Sequence, residues 1–144
     1  MNTSIDRSLE ITRLLLSCPT APFREQHVRA YIVQFCADRH IPVRIDSMGN
    51  VVAVYGKKYP DGGLAFCAHM DHPGFIIAGD SFGKTARAFF YGGVETRYFK
   101  GSRVRIFTQN GPVKGSVLNV KIDKEFRRKH VRLSINAPVY SGDI

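Results

Sequence analysis

The peptide Phe66-Cys67-Ala68-His69-Met70-Asp71-His72-Pro73-Gly74-Phe75 gathers the residue types with the most chemistry. An imidazole lone pair suits zinc or cobalt, so His69 is a candidate metal ligand. Asp71, two residues on, is placed to accept a hydrogen bond from the other ring nitrogen or from a neighbouring ligand, which would fix the tautomer and the ring orientation. His72 adds a third polar group. A catalytic zinc takes about three protein ligands and a water, so one imidazole and one carboxylate do not make a centre. The same spacing also occurs where a strand simply ends in satisfied polar groups, and both readings stay open. His27 and His40 fall on or at the end of a predicted helix and His130 in a basic run, and nothing in the sequence brings them to His69. Cys67 sits within an apolar run and reads as an inert packing group, not a nucleophile.

The elements that would hold this peptide follow from hydrophobic period. Ile5 to Leu16 forms a first helix, with Ser4 or Asp6 able to cap it, and it ends at Cys18-Pro19. A second helix has Pro22 in its first turn. Val28, Tyr31, Ile32, Phe35 and Cys36 line one face, and it stops before Pro42. Val43–Asp46 and Val51–Tyr55 read as strands around a Ser47–Asn50 turn, with a loop over 57–63. Leu64-Ala65-Phe66-Cys67-Ala68, apolar on both faces, fits a central strand covered on both sides. His69 would then stand at the carboxyl end of a buried strand, where ligands gather in open α/β sheets.

Beyond residue 72 the pattern changes. Short strands are expected at 76–78, 86–91, 103–108, 113–120 and 131–135, with no helix between them and a hairpin signal at Asn110-Gly111. That grammar predicts a small all-β barrel or sandwich. The expected division is therefore 1–72 and 73–144. Charge shifts at the same place: residues 1–72 carry a net +1 and residues 73–144 a net +8.

The whole chain has 144 residues, a net charge of +9 and 44% hydrophobic residues, enough to bury a core and to exclude the disordered class. No apolar run reaches the roughly 20 residues of a membrane span. No secretory signal is visible, and three scattered cysteines form neither a disulfide framework nor a CxxC pair, so a reducing, cytoplasmic setting is expected. The basic run Lys124–His130 reads as a solvated loop. Basic loops and strand aromatics could bind single-stranded nucleic acid, but charge alone does not choose it, and no aromatic RNA-binding signature is present.

Several motifs in order are similar to the tetrahedral-type aminopeptidases, the glutamyl and deblocking enzymes of peptidase clan MH. Pro19-Thr20-Ala21-Pro22-Phe23-Arg24-Glu25 resembles that family's turn into its second helix, with Glu25 in an acidic position. Asp46-Ser47-Met48-Gly49-Asn50-Val51 matches its D-x-x-G-N-V hairpin, and Ala68-His69-Met70-Asp71 matches its first metal-ligand motif. Gly92-Gly93-Val94, Lys100-Gly101-Ser102-Arg103-Val104 and Gly111–Val117 resemble strands of the β-domain inserted into the catalytic fold. The resemblance runs from about residue 8 to about residue 120.

The resemblance implies an α/β fold: the start of a phosphorylase/hydrolase-like zinc-peptidase catalytic domain over 1–72, then an inserted, incomplete β-barrel-like domain over 73–144. It implies a hydrolase that removes N-terminal residues from peptides, using two divalent metal ions, zinc or cobalt. His69 would ligate one of them, with Asp71 as the carboxylate behind it. It also implies a homo-oligomer, by family habit a dodecamer. Two departures stand out. His72 replaces the usual Glu after H-M-D, and no Glu-Glu pair or later ligand motif occurs. The 144 residues alone are therefore expected to be inactive. The rival expectation is a non-catalytic structural or regulatory relative that assembles with a full-length homologue.

Overall fold

The computed structural model describes residues 3–56, 63–123, 125 and 128–144. The chain divides into two compact units: Met1–Cys18 with Glu25–Met70, and Pro19–Arg24 with Asp71–Ile144. No helix among the described residues is long and apolar enough to cross a membrane.

The first unit contains α1 (Ser4–Leu16), α2 (Gln26–Ala37) and a hairpin of β1 (Val43–Ile45) and β2 (Val51–Ala53). The cap of α1 is Thr3, one residue ahead of the expected Ser4. Its hydroxyl accepts from the Asp6 backbone N–H at 3.1 Å, and its own N–H donates to the Asp6 carboxylate at 2.9 Å, so Asp6 serves as the third helical residue of a capping box. Helix α2 starts later than expected. Phe23 takes a φ of +71°, incompatible with a helical turn, which leaves Pro22 outside the helix. The helix ends before Pro42 as expected, and His40 leaves it with a φ of +54°. Val28 and Cys36 are its buried residues.

The hairpin pairs Val43 with Ala53 and Ile45 with Val51. Its turn is tied by the Asp46 carboxylate, which accepts from the backbone N–H groups of Met48 and Asn50 and from the Asn50 side-chain amide, each at 2.9 Å. Gly49 takes the φ of +86° that the turn requires.

The expected central strand is absent. Residues 63–70 have no regular secondary structure, and Leu64 and Phe66 are 84% and 89% exposed. A strand needs a neighbour for its N–H and C=O groups, and a doubly apolar one needs cover on both faces. No described residue provides either. Cys67, expected to be packed away, is exposed for the same reason. Most of the expected 57–63 loop lies outside the described residues.

The second unit is one antiparallel sheet of β3 (Gly74–Ile77), β4 (Thr85–Tyr91), β5 (Arg103–Thr108), β6 (Gly111–Ile122) and β7 (Lys129–Ile135), in the order β3-β4-β7-β6-β5. A single 3₁₀ turn, Thr96–Tyr98, interrupts the strand grammar. The β5–β6 turn is Gln109-Asn110, and Gly111 opens β6 with a φ of +103°, so the Asn-Gly pair sits one step later than in a two-residue loop. No strand pairing joins β3 to β5. Instead the C-terminal segment hydrogen-bonds both edges. Ile77 donates to the Asp143 carbonyl at 2.8 Å and accepts from Gly142 at 3.0 Å, while Phe107 donates to the Ile144 carbonyl at 2.6 Å. The sheet thus curls toward the barrel shape the sequence suggests without closing by strands alone.

One face of this sheet is the core: Ala86, Ala88 and Phe90 of β4, Val131, Leu133 and Ile135 of β7, Val113 and Val117 of β6, and Ile106 of β5. Phe90 packs edge-on against Phe99 at 4.5 Å and near Phe75 at 5.1 Å. Lys129 crosses the Phe90 ring at 5.0 Å and donates to the carbonyls of Gly92 and Val94 at 3.1 and 2.9 Å. One cation of the basic run is therefore a structural tie, while residues 124, 126 and 127 of that run lie outside the described residues. Residues 19–24 pack against β3: a Cβ on Gly74 would meet Ala21 and the Thr20 carbonyl, each at 2.9 Å.

Two outcomes follow. Leu133, fully buried at the sheet centre, should cost about 2–5 kcal/mol as Leu133→Ala, read from denaturant melts of the second unit's near-UV signal. The Asn50 hydrogen bonds hold the Asp46 carboxyl below its usual range. A depressed folded-state value means the turn is complete at neutral pH and is lost as pH falls through that value. The Asn50 amide resonance should therefore titrate with a midpoint below that of a free aspartate, and Asp46→Asn should abolish that titration.

Candidate metal centre

Backbone placement of the candidate ligands is direct. His69 lies in the irregular stretch that closes the first unit and is exposed. Asp71 opens the second unit, three residues before β3, and is half-buried. Each takes part in an interaction within the protein. His72 is half-buried, and its Nδ1 lies 3.5 Å from the Pro73 carbonyl, too long for a good hydrogen bond.

The remaining donors are dispersed. His27 sits exposed in the first turn of α2, and His40 just beyond its end. His130 is on β7, with its ring edge-on to Phe89 at 5.0 Å. Glu25, the acidic position of the turn into the second helix, caps α2 without a side-chain cap bond and is half-buried. Cys36 is buried within α2. Cys18, at the end of α1, donates to the Leu14 carbonyl at 3.6 Å, and burial pushes its thiol above the usual range. A thiol raised in this way is a poorer nucleophile and a poorer ligand at neutral pH.

Among the described residues no three His, Cys, Asp or Glu side chains group to hold a metal ion. The donor set in hand is one imidazole and one carboxylate, below what a catalytic zinc requires. This chain's described residues therefore do not complete a metal centre.

Sequence reasoning missed a different assembly of charged groups, the outer face of the five-stranded sheet. Arg87 on β4 stands directly opposite Arg132 on β7, and Arg105 on β5 opposite Lys114 on β6. The signal was present as polar-apolar alternation around buried Ala86, Ala88, Val131 and Leu133, but the strand register needed to pair these cations is not written in local sequence.

Comparison with known proteins gives structural matches only. No protein-family model matches the sequence, and neither does any curated protein. Among solved structures, a TET aminopeptidase from the marine sediment archaeon Thaumarchaeota archaeon SCGC AB-539-E09 superposes with a TM-score of 0.71 at 21% identity, covering 98% of this chain and 44% of that one. PhTET1-12s, a dodecamer in its asymmetric unit, superposes with a TM-score of 0.63 at 22% identity, covering 90% of this chain and 39% of that one. The chain thus spans less than half the length of these structures. They support the resemblance that the motifs carry. What they show is the fold: over nearly its whole length, this chain has the mixed α/β fold of part of a TET aminopeptidase.

Proposed function

We propose that this chain is part of a metal-dependent aminopeptidase, a hydrolase that removes residues from peptide N-termini. The observation that carries the reading is the A-H-M-D peptide, Ala68-His69-Met70-Asp71, within a chain that follows a TET aminopeptidase fold over 98% of its length. Residues 1–72 are read as the opening of the catalytic domain, and residues 73–144 as its inserted β-domain.

In this reading His69 contributes an imidazole to one of two adjacent divalent ions, zinc or cobalt. Asp71 is a positioning residue that holds a ligand in the tautomer and orientation needed for coordination. The missing donors must come from polypeptide other than the residues described here, because one imidazole and one carboxylate leave the coordination number unmet. His72 stands where the resembling enzymes carry a Glu, which removes a negative charge beside the ligand and alters the substrate end-group the site tolerates. The protein works as a homo-oligomer in the cytoplasm. One structural neighbour is a dodecamer, which supports the oligomeric part of the reading.

The test uses the protein expressed from its complete reading frame, loaded with zinc or cobalt. His69→Ala should lose bound metal by elemental analysis and lose N-terminal peptide hydrolysis. Asp71→Asn should keep the far-UV signature of the fold while weakening metal affinity roughly 10–100-fold. Unchanged metal content in the His69 variant would overturn its assignment as a ligand. A protein that binds no metal and hydrolyses nothing, yet enters mixed assemblies with an active homologue, would select the non-catalytic, structural reading.

A further inference from the structure

The outer face of the five-stranded sheet carries four of its cations in two facing pairs. Arg87 is opposite Arg132, which is itself opposite Asn119 across the next ladder. Two rows away along β7, Arg105 is opposite Lys114. All four cations are exposed, and none has an ion-pair partner among the described residues. Like charges placed directly opposite each other on neighbouring strands destabilise a sheet. The face therefore stores an electrostatic cost that a bound anion would relieve.

Between the two pairs runs a row of hydroxyls, Thr85, Ser134 and Ser116, in mutual register, which ends on β5 at the exposed Arg103 opposite Ser116. A shallow cavity of about 600 Å³ opens over the first pair, with Lys121 and His130 on its floor. The one acid in its lining is Asp80, whose Oδ1 accepts from the Ser141 backbone N–H.

We propose that this face docks an acidic polypeptide segment, one rich in Asp and Glu, lying across strands β4, β7, β6 and β5. Guanidinium forks match carboxylates in two-point hydrogen bonds. The hydroxyl row between the cation pairs meets the neutral peptide groups that separate the carboxylates of such a segment. A single-stranded nucleic acid fits less well. It gains affinity from bare aromatic rings on which bases stack. The rings of Phe89, Tyr91 and Phe107 on this face are half-buried and already engaged: Arg128 and Arg105 lie 5.0 Å from the centroids of Phe89 and Phe107, and Tyr91 meets Phe23 edge-on at 6.0 Å. The inference does not depend on the peptidase reading, because it concerns a face that carries none of the proposed ligands.

Fluorescence anisotropy with a labelled peptide of about ten glutamates tests it on the full chain, with affinity expected to fall as salt rises. The double variant Arg87→Gln/Arg132→Gln should weaken binding by about tenfold or more, since it removes both forks of one pair. Arg105→Gln/Lys114→Gln should weaken it in the same direction. The charge-matched control Arg7→Gln/Arg13→Gln on α1 should change it by less than about twofold, as a distant screened charge does. Because the variants remove facing like charges, their melting temperatures should hold or rise. Absence of peptide binding at low salt would overturn the proposal. So would equal losses in the sheet and α1 variants, which would mean a general field and no site. Tighter binding of an oligothymidylate of equal charge, lost in the same sheet variants, would replace the polypeptide with a nucleic acid.

Discussion

Every strand in this protein must hand its backbone N–H and C=O groups to a neighbour, and that demand decides which parts of the chain are ordered as expected. In the second unit the demand is met within the ladder. β4, β7 and β6 satisfy one another, and the edge strands β3 and β5 are each tied at one residue, Ile77 and Phe107, by Gly142, Asp143 and Ile144. With the central ladder satisfied, the alternation of Ala86, Ala88 and Phe90 against Val131, Leu133 and Ile135 can build a core on one face. A residue on this sheet is fixed within tight limits, as the backbone approach of Gly74 to residues 20 and 21 shows.

The same demand fails at residues 64–68. Their sequence is that of a strand buried on both sides, but the described residues offer it neither a ladder partner nor a covering layer. The functional consequence falls on His69, one residue beyond. An imidazole at the end of a paired strand has a fixed position and leaves the sheet toward other strand ends, which is how such folds bring ligands together. An imidazole after an unpaired, exposed stretch lacks that placement. Asp71 differs in kind: it belongs to the unit of the five-stranded sheet, three residues before β3, and is half-buried there. The two halves of the H-x-D motif thus stand on different footings, His69 beside an irregular segment and Asp71 three residues before a paired strand. Their coordination chemistry depends on whatever pairs with residues 64–68.

What the sequence revealed follows from the range of the forces involved. Helix α2, the Asp46–Asn50 turn and strands β4 to β7 rest on local signals: period, a carboxylate two and four residues from the amides it accepts, and alternation around small or branched apolar residues. These were legible. The start of α2 was not, because Phe23 adopts a positive φ within a segment that packs on β3, a contact some fifty residues away in sequence. The central strand was misread for the complementary reason: its signal is local, but its existence depends on partners the local sequence does not contain. The candidate site was legible as a motif, through His69 and Asp71, and not as a centre, because a third donor is a matter of tertiary assembly.

Charge shows the same division between what is local and what is not. The densest basic run, 124–130, attracts attention in the sequence, yet Lys129 within it is spent on the carbonyls of Gly92 and Val94 and on the Phe90 ring. The cations that stand uncompensated are spread singly over β4, β5, β6 and β7, each between apolar neighbours, where nothing marks them as a group. Only register assembles them, and it does so in the arrangement that costs the sheet most, like charge facing like. One substitution in each of the two pairs would relieve that repulsion. Four of the thirteen cations of residues 73–144 thus form a patterned face within the wider basic excess. A patterned face has a complement of definite spacing, whereas a diffuse excess attracts any anion in proportion to its charge.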